Sequence, residues 1–140
     1  MIAGAFEGVA TTLFLDTGDR SAFTVFRKFA AANKVGALFA REKEVASGYG
    51  VGGPIPARFA KLSSLRLGSS LELRDVLARL PSTTGGFFAK SPLGGSVGNE
   101  ILRRFNVVLD YQRLEIRLTK NRHFGEPYRF VPPQKVPGSF

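Results

Sequence analysis

The chain has 140 residues, 44% hydrophobic and 22% charged, with 20 Lys plus Arg against 11 Asp plus Glu, a formal net charge of +9. This length and balance suit one compact domain with a real core and argue against intrinsic disorder. Cys is absent and His123 is the single histidine, so disulfide frameworks, thiolate nucleophiles and multi-His metal centres are excluded. A Ser-His-Asp triad would need a partner to complete it. Carboxylates remain as the groups able to carry chemistry. No apolar run approaches the roughly 18 residues needed to span a bilayer, so no membrane span is expected. The opening residues do not read as a signal peptide, and the compartment stays open. From residue 101 onward eight basic residues face three acidic ones, but they are dispersed rather than gathered into a basic arm. The charge therefore reads as solubility, and no nucleic-acid partner is expected.

In chain order, Thr11-Thr12-Leu13-Phe14-Leu15 reads as a buried strand stopped by the turn Asp16-Thr17-Gly18. Phe23, Phe26, Phe29 and Ala30 recur at helical spacing, which predicts a helix with Ser21 as N-cap and Gly36 as stop. Strand-like pieces follow over 38–45, 55–67 and 71–80, separated by turn compositions at 48–54 and 68–70. Residues 82–95 read as an irregular Gly-containing loop, in which Phe87 and Phe88 either line a pocket or plug the core. A second short helix fits 99–105, and 106–109 with 114–118 reads as a hairpin, Leu114, Ile116 and Leu118 alternating with Glu115 and Arg117. Many short strands and two short helices predict a mainly β domain with a barrel-like or folded sheet. The domain is expected over 1–121, and 122–140, with Pro127, Pro132, Pro133 and Pro137, is expected to be an arm or linker.

Asp16-Thr17-Gly18 is the strongest chemical signal. A carboxylate at the end of a buried strand, beside a Gly that permits close backbone approach, is well placed to hold a water. Such chemistry needs two carboxylates sharing one proton, because like charges about 3 Å apart do not both ionise. Asp110 also follows an apolar strand, but Tyr111-Gln112 stand where Thr-Gly would be needed, and its simplest role is to accept turn hydrogen bonds. Gly48, Gly50 and Gly53 satisfy G-x-G-x-x-G literally, yet Pro54 and Pro56 oppose the helix a dinucleotide site requires. No metal or cofactor site is expected.

In order and spacing, residues 13–18, the glycine-laden 48–55, Val97-Gly98-Asn99-Glu100-Ile101-Leu102 and the closing 104–111 resemble the retropepsin-like aspartic proteases. The resemblance covers about residues 3–119 and implies an acid-protease fold. It implies an aspartic endopeptidase acting on a peptide or protein substrate, as a homodimer or with a second Asp-Thr-Gly half from a longer protein. By position it implies that Asp16 is the catalytic acid/base, that Thr17 and Gly18 hold its turn (Thr17 through its hydroxyl), and that Gly48, Tyr49, Gly50, Val51, Gly52 and Gly53 form a flap. Tyr49 either lines the cleft or packs on its own hairpin. Two residues depart from the pattern. Asp19 stands where a small residue is common, and its charge would perturb the dyad unless Arg20 or a partner neutralised it. Ser96 occupies an apolar position. The alternatives are one inactive half of a longer protease, or a peptide-binding module without turnover.

Overall fold

The computed structural model describes residues 1–50, 52–130 and 132. Among these residues, eleven strands and three short helices follow one another as β1 (Ile2–Phe6), β2 (Val9–Leu15), β3 (Phe23–Val25), α1 (Arg27–Ala32), β4 (Val45–Gly50), β5 (Gly53–Leu62), β6 (Leu65–Leu67), β7 (Leu71–Leu73), β8 (Val76–Pro81), α2 (Phe87–Lys90), β9 (Gly95–Val97), α3 (Asn99–Leu102), β10 (Phe105–Asp110) and β11 (Glu115–Lys120). Nine strands form one sheet in the order β4-β5-β8-β3-β9-β2-β1-β6-β7, and β10 and β11 form a separate two-stranded sheet. Two neighbouring pairs in the large sheet are parallel, β2 with β9 and β3 with β8. The domain is mainly β, as its many short apolar runs and turn compositions predict.

Several local expectations shift. Phe23 lies in β3, and helix α1 begins only after Phe26, its N-cap, so Ser21 caps nothing helical. Strand and helix both turn their apolar side chains inward, and this pairing imitates a single helical period: Phe23, Phe26, Phe29 and Ala30 are all buried. The strand expected over 38–45 does not form: a 3-10 turn at Val35–Phe39 takes its first two residues, and β4 begins only at Val45. The strand expected over 71–80 breaks at Asp75, whose φ of 53° lies in the left-handed region and ends β7 before β8. Within 82–95 an additional helix, α2, carries Phe87 and Phe88. The predicted hairpin over 106–118 is present as β10–β11, with Leu109 opposite Ile116 and Val107 opposite Leu118.

The core gathers Phe6, Leu13, Phe23, Phe29, Leu62, Leu65, Val76, Val97 and Ile101. Phe6 anchors it by packing edge-on against Phe23 at 5.1 Å and tilted against Phe29 at 5.2 Å. Contacts continue past residue 121: Phe124 packs on Phe105, and Phe130 lies 4.2 Å from Phe59. Arg104 is fully buried beneath this segment. It donates to the carbonyls of His123, Phe124, Glu126 and Pro127, pairs with Glu100 at 3.0 Å, and stacks 3.9 Å from the Tyr128 ring. Burial raises the Tyr128 phenol above its ordinary pKa, only partly opposed by Arg104. Burial also works against the Glu100 carboxylate, but hydrogen bonds and charge from Arg103 and Arg104 outweigh it and hold that pKa below the usual range. Residues 131 and 133–140, the rest of the expected Pro-rich tail, lie outside the described residues.

Candidate active site

Asp16 follows the last residue of β2, and its backbone N–H donates to Val97 O at 2.9 Å, carrying the parallel β2–β9 pairing one residue further. From there the chain must turn, and the Asp16 side chain organises the turn. Its Oδ1 accepts the N–H of Gly18 at 3.0 Å and of Asp19 at 3.2 Å. A Cβ on Gly18 would stand 3.3 Å from that same oxygen, a contact tight enough that the carboxylate would have to give by a few tenths of an ångström. Thr17 is exposed, and its carbonyl accepts from the Asn99 side chain. Its hydroxyl makes no hydrogen bond among the described residues, so the turn is closed by Asp16 rather than by the Thr17 side chain. The start of α3 backs the loop: Asn99 N donates to Asp19 O at 2.6 Å and Glu100 N to Ser21 O at 3.2 Å. Gly98 makes that approach possible, because a Cβ there would collide with Ser21 O and lie 2.8 Å from Asp19 O.

Asp19 is paired with Arg79 of β8, far from it in sequence. Its Oδ2 pairs with Arg79 Nη2 at 3.0 Å, with side-chain exposures of 7% and 8%. The same oxygen accepts the hydroxyls of Ser21 at 2.8 Å and Thr24 at 3.0 Å, while Oδ1 accepts Ser21 N–H at 2.8 Å. The buried carboxylate has partners on both oxygens, one of them a guanidinium. The charge next to the triplet is thus already engaged. Sequence reasoning did not find Arg79. The available signal was a cation inside the apolar strand Val76-Leu77-Ala78-Arg79-Leu80, since a buried charge implies a partner. Ser96, in the β9 register position opposite Thr24, is fully buried and its hydroxyl has no partner among the described residues.

The glycine-laden segment forms the β4–β5 hairpin, with Gly48 opposite Ile55, Tyr49 opposite Pro54 and Gly50 opposite Gly53. Gly53, at φ 108°, adopts a conformation that a Cβ would strain, and Gly52 lies beside it in the tip. Val51 lies outside the described residues. The register shifts between Ala46 and Gly48, so Ser47 is a bulged residue. Its side chain is buried, donating to Ile55 O at 2.9 Å and meeting Arg79 Nη1 at 3.3 Å.

Turn and hairpin face one another across a cleft of about 420 Å³. Asp16, Gly18, Asp19 and Arg20 form one side, and Ser47, Gly48, Tyr49 and Ile55 the other. Tyr49 lines the cleft, with 48% of its surface exposed. The aromatic pair divides its roles: Phe88 lines the cleft, while Phe87 packs edge-on against Phe14 and Phe26. Asp110 stands elsewhere, its Oδ1 accepting Gln112 N–H at 3.1 Å and Arg113 N–H at 3.0 Å. His123 bonds Glu126 at 2.7 Å, on the described part of the tail. Among the described residues, no helix is long and apolar enough to cross a membrane, and no three acidic or His side chains cluster to hold a metal ion.

No protein-family model matches the chain, and no curated protein matches it. Among solved structures, it is similar to a retropepsin-like aspartic protease from Rickettsia conorii, with a TM-score of 0.58 and 18% identity over 78% of this chain and 74% of that one. At this identity the likeness is one of fold. The chain has a retropepsin-like fold, in which an Asp-Thr-Gly turn and a Gly-rich hairpin face one cleft.

Proposed function

We propose that this domain is an aspartic endopeptidase in which Asp16 supplies one carboxylate of a shared dyad. The observation that carries the reading is the Asp16 carboxylate, held by its own turn at the edge of a cleft bounded by a Gly-rich hairpin. Among the described residues, Asp16 and Asp19 are the carboxylates lining that cleft, and Asp19 is engaged by Arg79. The second catalytic carboxylate therefore comes from a second copy or from a fused Asp-Thr-Gly half. One carboxylate removes a proton from the attacking water while the other, protonated, donates to the scissile carbonyl. The water oxygen bonds to the carbonyl carbon. The C–N bond then breaks, and the departing nitrogen takes a proton from the dyad. Gly48, Tyr49, Gly50, Val51, Gly52 and Gly53 act as the flap over an extended peptide, which lies strand-like in the cleft. Thr17 and Gly18 serve the turn, and the reaction asks for no cofactor.

Incubation with a mixed peptide library between about pH 4 and 7, beside Asp16→Asn, tests this reading. Cleavage by the native chain and its loss in the variant are expected. Equal turnover by both proteins removes Asp16 from the mechanism. Sedimentation of the same samples separates the two sources of the second carboxylate: a dimer that cleaves supports the homodimer, and an inactive monomer supports the fused half.

A further inference from the structure

We infer that Arg79 is a positioning residue that couples the acid turn to the Gly-rich hairpin, acting as an internal latch across the sheet. The inference deepens the protease reading and rests on it for its effect on turnover. In the large sheet β4, the first strand of the hairpin, is an edge strand, separated from β2 by β5, β8, β3 and β9. A displacement of the hairpin would have to pass through every intervening ladder to reach Asp16. Arg79 bypasses that route. It stands on the inner strand β8, opposite Phe59 of β5 and in parallel register with Thr24 of β3. From this fixed point its guanidinium reaches three segments: Nη2 to Asp19 at 3.0 Å, Nε to Thr24 at 2.8 Å, and Nη1 to Ser47 Oγ at 3.3 Å and Ser47 O at 3.5 Å. A planar fork with fixed donors suits such a three-way link, and a Lys ammonium does not reproduce it.

The link is asymmetric. On the acid side the bonds are short and one is an ion pair, whereas on the hairpin side both are at the long end of hydrogen-bond geometry. The hairpin end therefore releases first. Opening the cleft breaks the Ser47 contacts and leaves Asp19 paired, so the turn holding Asp16 keeps its shape while substrate enters. Closure restores the contacts and sets the hairpin at a defined distance from the acid. The bulge at Ser47 serves this arrangement, because it turns a hydroxyl on an edge strand inward to meet the arginine.

Hydrogen exchange on Arg79→Lys tests the latch without reference to activity, with circular dichroism confirming the fold. Amides of residues 16–19 and 45–50 are expected to exchange faster together, by about tenfold, with β1 and β6 unchanged. Uniform acceleration throughout the sheet, or acceleration of only one segment, overturns the latch. On a cleaved library peptide, Ser47→Ala is expected to raise KM and Asp19→Asn to lower kcat. Combining the two should cost less than the product of their separate effects, since both act through Arg79. Fully multiplicative effects contradict the coupling. If the native chain dimerises and cleaves nothing, the protease reading fails, and if it is an inactive monomer the fused half is supported; in both cases the exchange result alone decides whether Arg79 joins the two segments.

Discussion

Arg104 and Arg79 are both buried, yet their guanidinium groups are spent differently. Arg104 bonds four backbone carbonyls of the segment after β11, together with Glu100 and the face of Tyr128. Arg79 bonds mainly side chains: a carboxylate, a threonine hydroxyl and a serine hydroxyl from three separated segments. Backbone partners fix where a stretch of chain lies, whatever its side chains. Side-chain partners make the position of each segment depend on the others. One arginine fastens the end of the fold, and the other ties together the parts that face the cleft.

The largest effect that would break this comparison is expected at Arg104. Arg104→Leu strands four carbonyls beneath a packed segment and should cost about 3–5 kcal/mol in urea unfolding. A loss below about 1 kcal/mol would show that those carbonyls find water instead. Arg79→Leu should cost about 3 kcal/mol, because Asp19 keeps its hydroxyl partners but loses its cation. Replacing both members, as Arg79→Leu with Asp19→Leu, should recover part of that loss. If the double variant is the less stable, the pair contributes more than its desolvation costs. Gly98→Ala should cost about 1–3 kcal/mol in the same assay, by pressing a methyl onto the loop after Asp16. An unchanged midpoint would mean the loop and α3 separate easily.

The smallest effect concerns acid. A hydrogen bond from His123, and then Arg103, pushes Glu126 down to about 2. A carboxyl whose folded pKa lies below its unfolded value stabilises the fold above the unfolded pKa, and that contribution fades as pH falls through the folded one. The native chain should therefore lose stability between about pH 4.5 and 2, and Glu126→Gln should lose less over this interval. Glu100, shifted the same way, leaves a residual slope in the variant. Parallel profiles for the two proteins would exclude Glu126 from the acid response.

What could be read from the sequence was local. Asp16-Thr17-Gly18 follows an apolar strand directly, and the hairpins at 45–62 and 105–120 show themselves through glycines and alternation within a few residues. The helix expected from Phe23 onward was misplaced because burial, not helical geometry, sets that spacing: the first aromatic belongs to a strand. The partner of Asp19 was hidden by distance, since Arg79 lies 60 positions away and β8 reaches it only through parallel pairing with β3. The packing of Phe124, Tyr128 and Phe130 was masked by the prolines around them, which read as an extended arm until Arg104 supplies the donors that hold it.

The central claim is that Asp16 is one half of a dyad whose second carboxylate comes from outside this chain, in the homodimer from a second copy. Mixing tests it most directly: inactive Asp16→Asn chains are equilibrated with native chains, and cleavage is followed per native chain. At equal amounts, random pairing places about half of the native chains in one-carboxylate dimers, so the account predicts that activity per native chain falls by about half. Activity per native chain that stays constant through the titration would contradict it.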